Sequence, residues 1–223
     1  MKLPWNRTKS VPATPAPNPA PGSAPDEQAR RDAVTYVTEI VWEAIAPGFQ
    51  RKNDIVESMS EMADDDDDLA LTGTEAAALV DELWQKRLLE LQRPGDHGSS
   101  DDVRVAAAFA ALESTGVLAR MNLGFDQGEG SDEARHLATT VGARGFVYFH
   151  QQDAHRLAYP NATLFLGWDA VGTSRDEYDA TTLRLGEEIR EALEHQGLTV
   201  EWDGTLARRP EVQHLTWRKP LPD

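Results

Sequence analysis

His150, Asp153 and His155 form the one histidine-rich constellation of the 223-residue sequence, in the stretch FVYFHQQDAHRLAYPN. A histidine next to a carboxylate is raw material for acid–base catalysis or metal ligation, because imidazole titrates near neutrality and either ring nitrogen can serve as a ligand. Spacing limits what the three can do together. At about 100° per residue on a helical turn they point to about 0°, 300° and 140°. His150 and Asp153 can then share a face that His155 cannot join. The HExxH spacing that sets two histidines side by side is absent, so a third ligand would have to come across a sheet from Glu201, Asp203 or His214. The competing reading is structural, with His150 and Asp153 capping the end of a strand and the start of a helix. Gln151, Gln152 and Asp153 add donors and acceptors at a strand end. That position suits a ligand pocket, and it equally suits a helix entry satisfying its own free amides. The candidate ligand-binding residues are therefore His150, Gln152, Asp153 and Asp203. No catalytic residue, no metal ligand and no cofactor is assigned.

Other chemistries lack their residues. The chain has no cysteine, which removes disulfides, thiolate metal sites and a thiol nucleophile, and makes the cytoplasm the simpler expectation. No GxSxG elbow and no GxGxxG or GxxxxGK[ST] loop occurs. GFDQGEGSDEA places glycines before a helix, but its carboxylates would repel phosphate. Trp202 and Trp217 could stack on a ligand. Their parity with Val200 and Leu215 in extended segments predicts core positions instead.

The elements that must position these residues follow from composition and periodicity. Seven of the 13 prolines fall in the first 25 residues, where VPATPAPNPAPGSAP predicts a disordered, extended tether rather than part of a core. Residues 26–100 form the helical region, expected to pack on a sheet. Ala33, Val37, Val41, Ala44 and Ile45 make one helical stripe ended by Pro47-Gly48, and a short helix from Asn53 turns Ile55, Val56, Met59 and Met62 inward. Asp64 to Asp68 predict an exposed loop, since five adjacent carboxylates repel and lack the spacing of a calcium loop. Thr72 and Glu75 spell a capping box ahead of Ala76, Leu79, Val80, Leu83 and Trp84. GDHGSS is a linker, and Ser100 caps the next helix.

Residues 101–223 form an α+β domain. After Gly116 the alternation through Val117, Ala119, Met121, Leu123 and Phe125 predicts a strand with one polar face. DQGEG turns the chain, and Ser131 caps a helix carrying Leu137 and Val141. FVYFH and TLFLGW are strands apolar on both faces, hence covered. A helix over 176–196 ends at Gly197, and strands follow at 197–203 and 212–218. This succession predicts a ferredoxin-like, split βαβ antiparallel sheet with an extra strand, its open face covered by the N-terminal helices.

Charge and hydropathy narrow the partners. The net charge is −16, with 7 basic against 18 acidic residues in 26–100 and 12 against 20 in 101–223. Outside the short N-terminal tail no basic cluster exists to track phosphates, which argues against nucleic acid, and the longest near-apolar run, AAAFAAL, is far too short to span a bilayer. A basic protein partner or a small ligand remains.

GFVYFHQQD (145–153), GLTVEWDG (197–204), LTWRK (215–219) and DDVRVAAAFAALESTGVLARMN (101–122) together resemble a family of mostly actinobacterial proteins of unknown function. The resemblance covers most of 26–219 and implies one shared α+β domain with no established reaction. Several members carry cysteines in the loop after the first strand, where this chain has NLGFDQGEG, so no thiol or metal role carries over. The functional expectation is an acidic cytoplasmic binding or regulatory module for a protein or small ligand. The alternative is a metal-dependent hydrolase centred on His150 and Asp153.

Overall fold

The structure, a computed structural model, describes residues 24–93 and 100–223. The expected tail up to residue 23, and the linker except for Ser100, lie outside the described residues. Three helices come first: α1 (Ala24–Ile45), α2 (Lys52–Asp65) and α3 (Gly73–Gln92). Their buried residues recur at helical spacing, with Val37, Val41 and Ile45 on α1, Ile55, Met59 and Ala63 on α2, and Ala76, Val80, Leu83 and Trp84 on α3. These stripes can be buried only against one another, at about 1.5–3 kcal/mol for each large side chain removed from water. The box before α3 is complete. Thr72 Oγ1 accepts from the Glu75 amide at 3.3 Å, and Glu75 Oε2 accepts from the Thr72 amide at 2.9 Å. The aspartate run is split rather than being wholly a loop. Asp64 and Asp65 finish α2, and Asp64 Oδ1 accepts from the Gly73 amide at 2.7 Å, placing a negative charge where the α3 dipole is positive.

The α+β part contains α4 (Asp101–Ser114), β1 (Val117–Arg120), α5 (Gln127–Val141), β2 (Gly145–Tyr148), α6 (Gln151–His155) and a 3-10 turn, Arg156–Ala158. It continues with β3 (Ala162–Phe165), β4 (Gly167–Ala170), α7 (Tyr178–His195), β5 (Thr199–Glu201) and β6 (Glu211–Leu215). The α+β class holds, and the sheet topology differs from the ferredoxin-like expectation. The strands form two three-stranded sheets, ordered β1-β2-β4 and β3-β6-β5. In a split βαβ a strand lies between the two parallel ones, whereas here β1 pairs directly with β2, Leu118 opposite Phe146, and α5 is the crossover that a parallel pair requires. The segment expected as one strand, TLFLGW, changes sheets at the fully buried Leu166. β3 pairs antiparallel with β6, and β4 with β2. Opposite β3, His214 is in the left-handed region at φ 58° where the pairing register shifts, as in a β-bulge.

Both faces of the first sheet are covered, as the apolar character of FVYFH predicts. Val117, Ala119, Val147 and Phe149 join the main core with α4 and α7, while Leu118, Phe146 and Tyr148 pack against Ala134 and Ala138 of α5. Thus α5, not the N-terminal helices, lies on the second face. The N-terminal helices meet the α+β part elsewhere: Phe49 packs on Phe149 and Trp217, and Trp217 Nε1 donates to Pro47 O at 2.9 Å.

Three local expectations change. β1 stops at Arg120 with all of Val117, Leu118 and Ala119 buried, because Asn122 and Gly124 take positive φ and turn the chain. DQGEG belongs to α5: Asp126 is the N-cap, accepting from the Gly128 and Glu129 amides at 2.8 and 3.0 Å, so Ser131 lies inside the helix. Trp202 sits past the end of β5 and is only half-buried, its ring edge-on to Trp168 at 5.5 Å. No helix among the described residues is long and apolar enough to cross a membrane.

Candidate functional site

β2 ends where the two sheets part, and the chain turns at once into α6. His150 is the N-cap: its Nδ1 accepts from the Asp153 amide at 3.3 Å. An accepting Nδ1 leaves the ring proton on Nε2. That nitrogen lies 2.9 Å from Asp153 Oδ2 but out of hydrogen-bonding alignment, and it has no hydrogen-bond partner among the described residues. Both side chains are about 95% buried. Burial pushes the His150 pKa below the ordinary imidazole value, the nearby Arg209 adds to this, and Asp153 opposes it.

Arg209 completes the cluster. Its guanidinium pairs with the Asp153 carboxylate and also donates to Phe165 O at 2.8 Å and Leu166 O at 3.3 Å. These carbonyls belong to the segment that leaves one sheet for the other, so the guanidinium satisfies backbone acceptors at the seam. The buried carboxylate is compensated for leaving water by its contact with the partly buried guanidinium, which the two backbone carbonyls hold in place. This arrangement disfavours the metal reading, since the one unpartnered ring nitrogen, His150 Nε2, carries the proton. The His150 Nδ1 is engaged by an amide, and a cation at Asp153 would have to displace a guanidinium. Among the described residues no group of three or more His, Asp or Glu side chains is placed to hold a metal ion.

The exposed side of Arg209 opens onto a cleft of about 330 Å³ at the edge strand β4, lined also by Gln127, Ser131, Tyr148, Asp169, Tyr178 and Thr182. The Tyr148 ring fits there because two neighbours are glycines. A Cβ on Gly130 or on Gly167 would collide with it. Its hydroxyl donates to Gln127 O at 2.9 Å, and burial raises its pKa. Asp169, 11% exposed at its side chain, pairs with Arg135 and accepts from Thr182 Oγ1 at 3.3 Å. The Tyr178 pKa is raised, first by burial and then by Asp169, so both phenols keep their protons at neutral pH and remain donors. Gly186, facing the Trp202 ring, and the Trp168 indole, which donates to Thr182 O at 3.0 Å, fix the packing behind α7.

Of the residues predicted from sequence, His150 and Asp153 come together. Gln152 and Asp203 do not join them. Gln152 is exposed and lines a different pocket with Glu43, His155, Arg156 and Tyr159. Asp203 is exposed in the loop after β5, where its Oδ1 accepts from the Thr205 amide and hydroxyl at 3.0 and 2.8 Å, which lowers its pKa. His155 faces Glu43 at 3.9 Å. Sequence reasoning missed Arg209, Tyr148 and Asp169. Arg209 lies in an irregular loop with no periodicity to flag it. Gly167 inside an apolar strand was an available signal, since a strand glycine marks a close approach, here by the Tyr148 ring.

No curated protein and no solved structure matches the chain. A family described as a domain of unknown function, DUF6891, matches residues 30–221. That span takes in α2 through β6, with both sheets, the Asp153–Arg209 pair and the cleft at β4, and the chain belongs to this family.

Proposed function

We propose that the protein is a non-catalytic binding module, working in the cytoplasm, whose β4 cleft takes a small polar ligand bearing both a cationic and an anionic group, as an amino acid does. The observation that carries this reading is that one carboxylate, Asp169, and one guanidinium, Arg209, open onto the same 330 Å³ space. Each is already held by partners in the fold. Groups fixed before binding lose little freedom on binding, and the volume is at the small-molecule end of ligand pockets. In this reading His150 and Asp153 are positioning residues behind Arg209, and the Tyr178 and Ser131 hydroxyls supply orientation. Absence of cysteine supports the cytoplasmic assignment.

A thermal-shift survey of amino acids, small amines and small carboxylates, followed by calorimetric titration of any hit, tests the reading. A ligand that raises the melting temperature and binds about tenfold more weakly to Tyr178→Phe and Asp169→Asn supports it, tenfold being roughly one charge-assisted hydrogen bond. No response across the survey, or binding unchanged in both variants, rejects it.

A further inference from the structure

A second cleft lies between the helical and α+β parts, and a different observation singles it out. In a chain of net charge −16, three guanidiniums, Arg87, Arg93 and Arg218, line one space of about 520 Å³ together with Glu90, Trp42 and Tyr159. Arg87 is 7% exposed. Its Nη2 donates to Trp217 O at 3.2 Å, and Glu90 Oε2 lies 3.6 Å from Nη1, beyond good hydrogen-bonding distance. Its Nε is buried and has no hydrogen-bond partner among the described residues. Arg218 is held by Glu90 O at 3.0 Å and by Leu91 O and Arg93 O at 3.3 Å, the last carbonyls of α3 and its cap. Desolvation lowers the Arg87 pKa, Glu90 opposes this, and the charge of Arg218 lowers it further. The two cations therefore repel across the cleft; Glu90 is the one acidic residue lining it, and Asp102, which does not line it, also offsets part of the charge on Arg87.

We propose that this cleft binds a small organic molecule through a multiply charged oxyanion, either a phosphate monoester or a dicarboxylate. Guanidiniums bind such groups through paired donors in a plane, and a cleft with three guanidiniums to one lining carboxylate, one of them with an unpartnered buried Nε, gains from such an anion. The half-buried Trp42 and exposed Tyr159 give the organic body apolar surface. Because Arg87 and Arg93 sit at the end of the helical part and Arg218 on the C-terminal segment after β6, an anion between them joins the two parts. Occupancy then stabilises their contact, and the site acts as a regulator of how firmly the two parts hold together.

The test uses the full chain in chloride buffer of matched ionic strength, titrated calorimetrically with glycerol 3-phosphate, inorganic phosphate and succinate, with denaturant melts in parallel. Saturable binding by either organic anion, with a raised unfolding midpoint, is expected. Preference for glycerol 3-phosphate or for succinate identifies the phosphate or carboxylate source. Arg218→Gln should abolish binding, and Arg93→Gln, an exposed position whose loss spares the α3 carbonyl contacts, should weaken it about tenfold. Asp169→Asn, in the other cleft, should leave it unchanged. Failure of both organic anions to bind at 10 mM overturns the proposal, as does binding that is unchanged in Arg93→Gln or equally strong for inorganic phosphate alone.

Discussion

Two helix starts in this molecule use the same local grammar to different ends. At Thr72 and at His150 the capping side chain accepts the amide three residues on, and in both the third residue is acidic, Glu75 and Asp153. At α3 the carboxylate turns back to the Thr72 amide and hydroxyl and pairs with Arg30 at the surface. At α6 it turns away to Arg209, a residue 56 positions later, in a buried cluster. The first motif is complete within four residues, apart from the surface pair, and tells the chain where a helix begins. The second is finished only by tertiary structure, so it locks the end of β2 to the seam between the sheets. A buried cap of this kind has a larger energetic effect than an exposed one, because removing either partner strands a charge.

That contrast can be broken most sharply at Asp153. Asp153→Ala leaves Arg209 without its counter-charge and should cost about 3 kcal/mol in denaturant melts, the low end for a broken buried pair because part of Arg209 reaches the cleft. A loss near zero would mean that the guanidinium finds water as readily as the surface does, and the two helix starts would be equivalent. Thr72→Ala should cost about 1 kcal/mol, the usual value for an exposed cap. A cost equal to that of Asp153→Ala would equally erase the difference.

The smallest and most diagnostic effect is in the pH dependence. The folded-state pKa of His150 lies below its ordinary value of 6.5. The unfolded chain therefore takes up the proton first, and stability should fall as pH drops below about 6.5, by at most about 1.4 kcal/mol per pH unit for one group. His150→Asn keeps a good cap and removes the titration, so its stability profile between pH 7 and 5 should be flatter. Glu75 acts in a different window. Its pKa is lowered from 4.5 to about 2, first by the Thr72 amide and then by Arg30, so its contribution is complete above 4.5 and is lost as pH falls towards 2. An unchanged slope between pH 7 and 5 in His150→Asn would place the origin of that slope outside the buried cap.

How much of this was legible in the sequence follows from how local each feature is. The Thr72 box, the Gly197 helix end and the stripes of α1 to α3 are written in spacings of three and four residues, and the structure has them. Gly197 takes φ 77°, with the Leu198 amide closing on Leu193 O. The helix α5 was legible but its first turn was hidden, because Gly128 and Gly130 lower helix propensity. Asp126 and Glu129 nonetheless carried the capping signal, and Gly130 is there for the Tyr148 ring. The sheet arrangement was hidden for a different reason. The apolar pattern of TLFLGW (163–168) shows an extended, covered segment, but nothing in it says that its two halves pair with different partners. The site divides the same way. His150 and Asp153 were visible because they are neighbours, whereas Arg209 and Asp169 enter through tertiary packing.

The passage of one extended segment through both sheets also bears on how the molecule comes apart. β3 gives its hydrogen bonds to β6 and β4 gives its own to β2, so neither sheet owns a complete set of strands without residues 162–170. Local opening of either sheet loosens the segment the other depends on, and a guanidinium spans the joint. The two sheets are therefore coupled as one cooperative unit, and the buried switch point at Leu166 behaves as a hinge pin rather than a hinge.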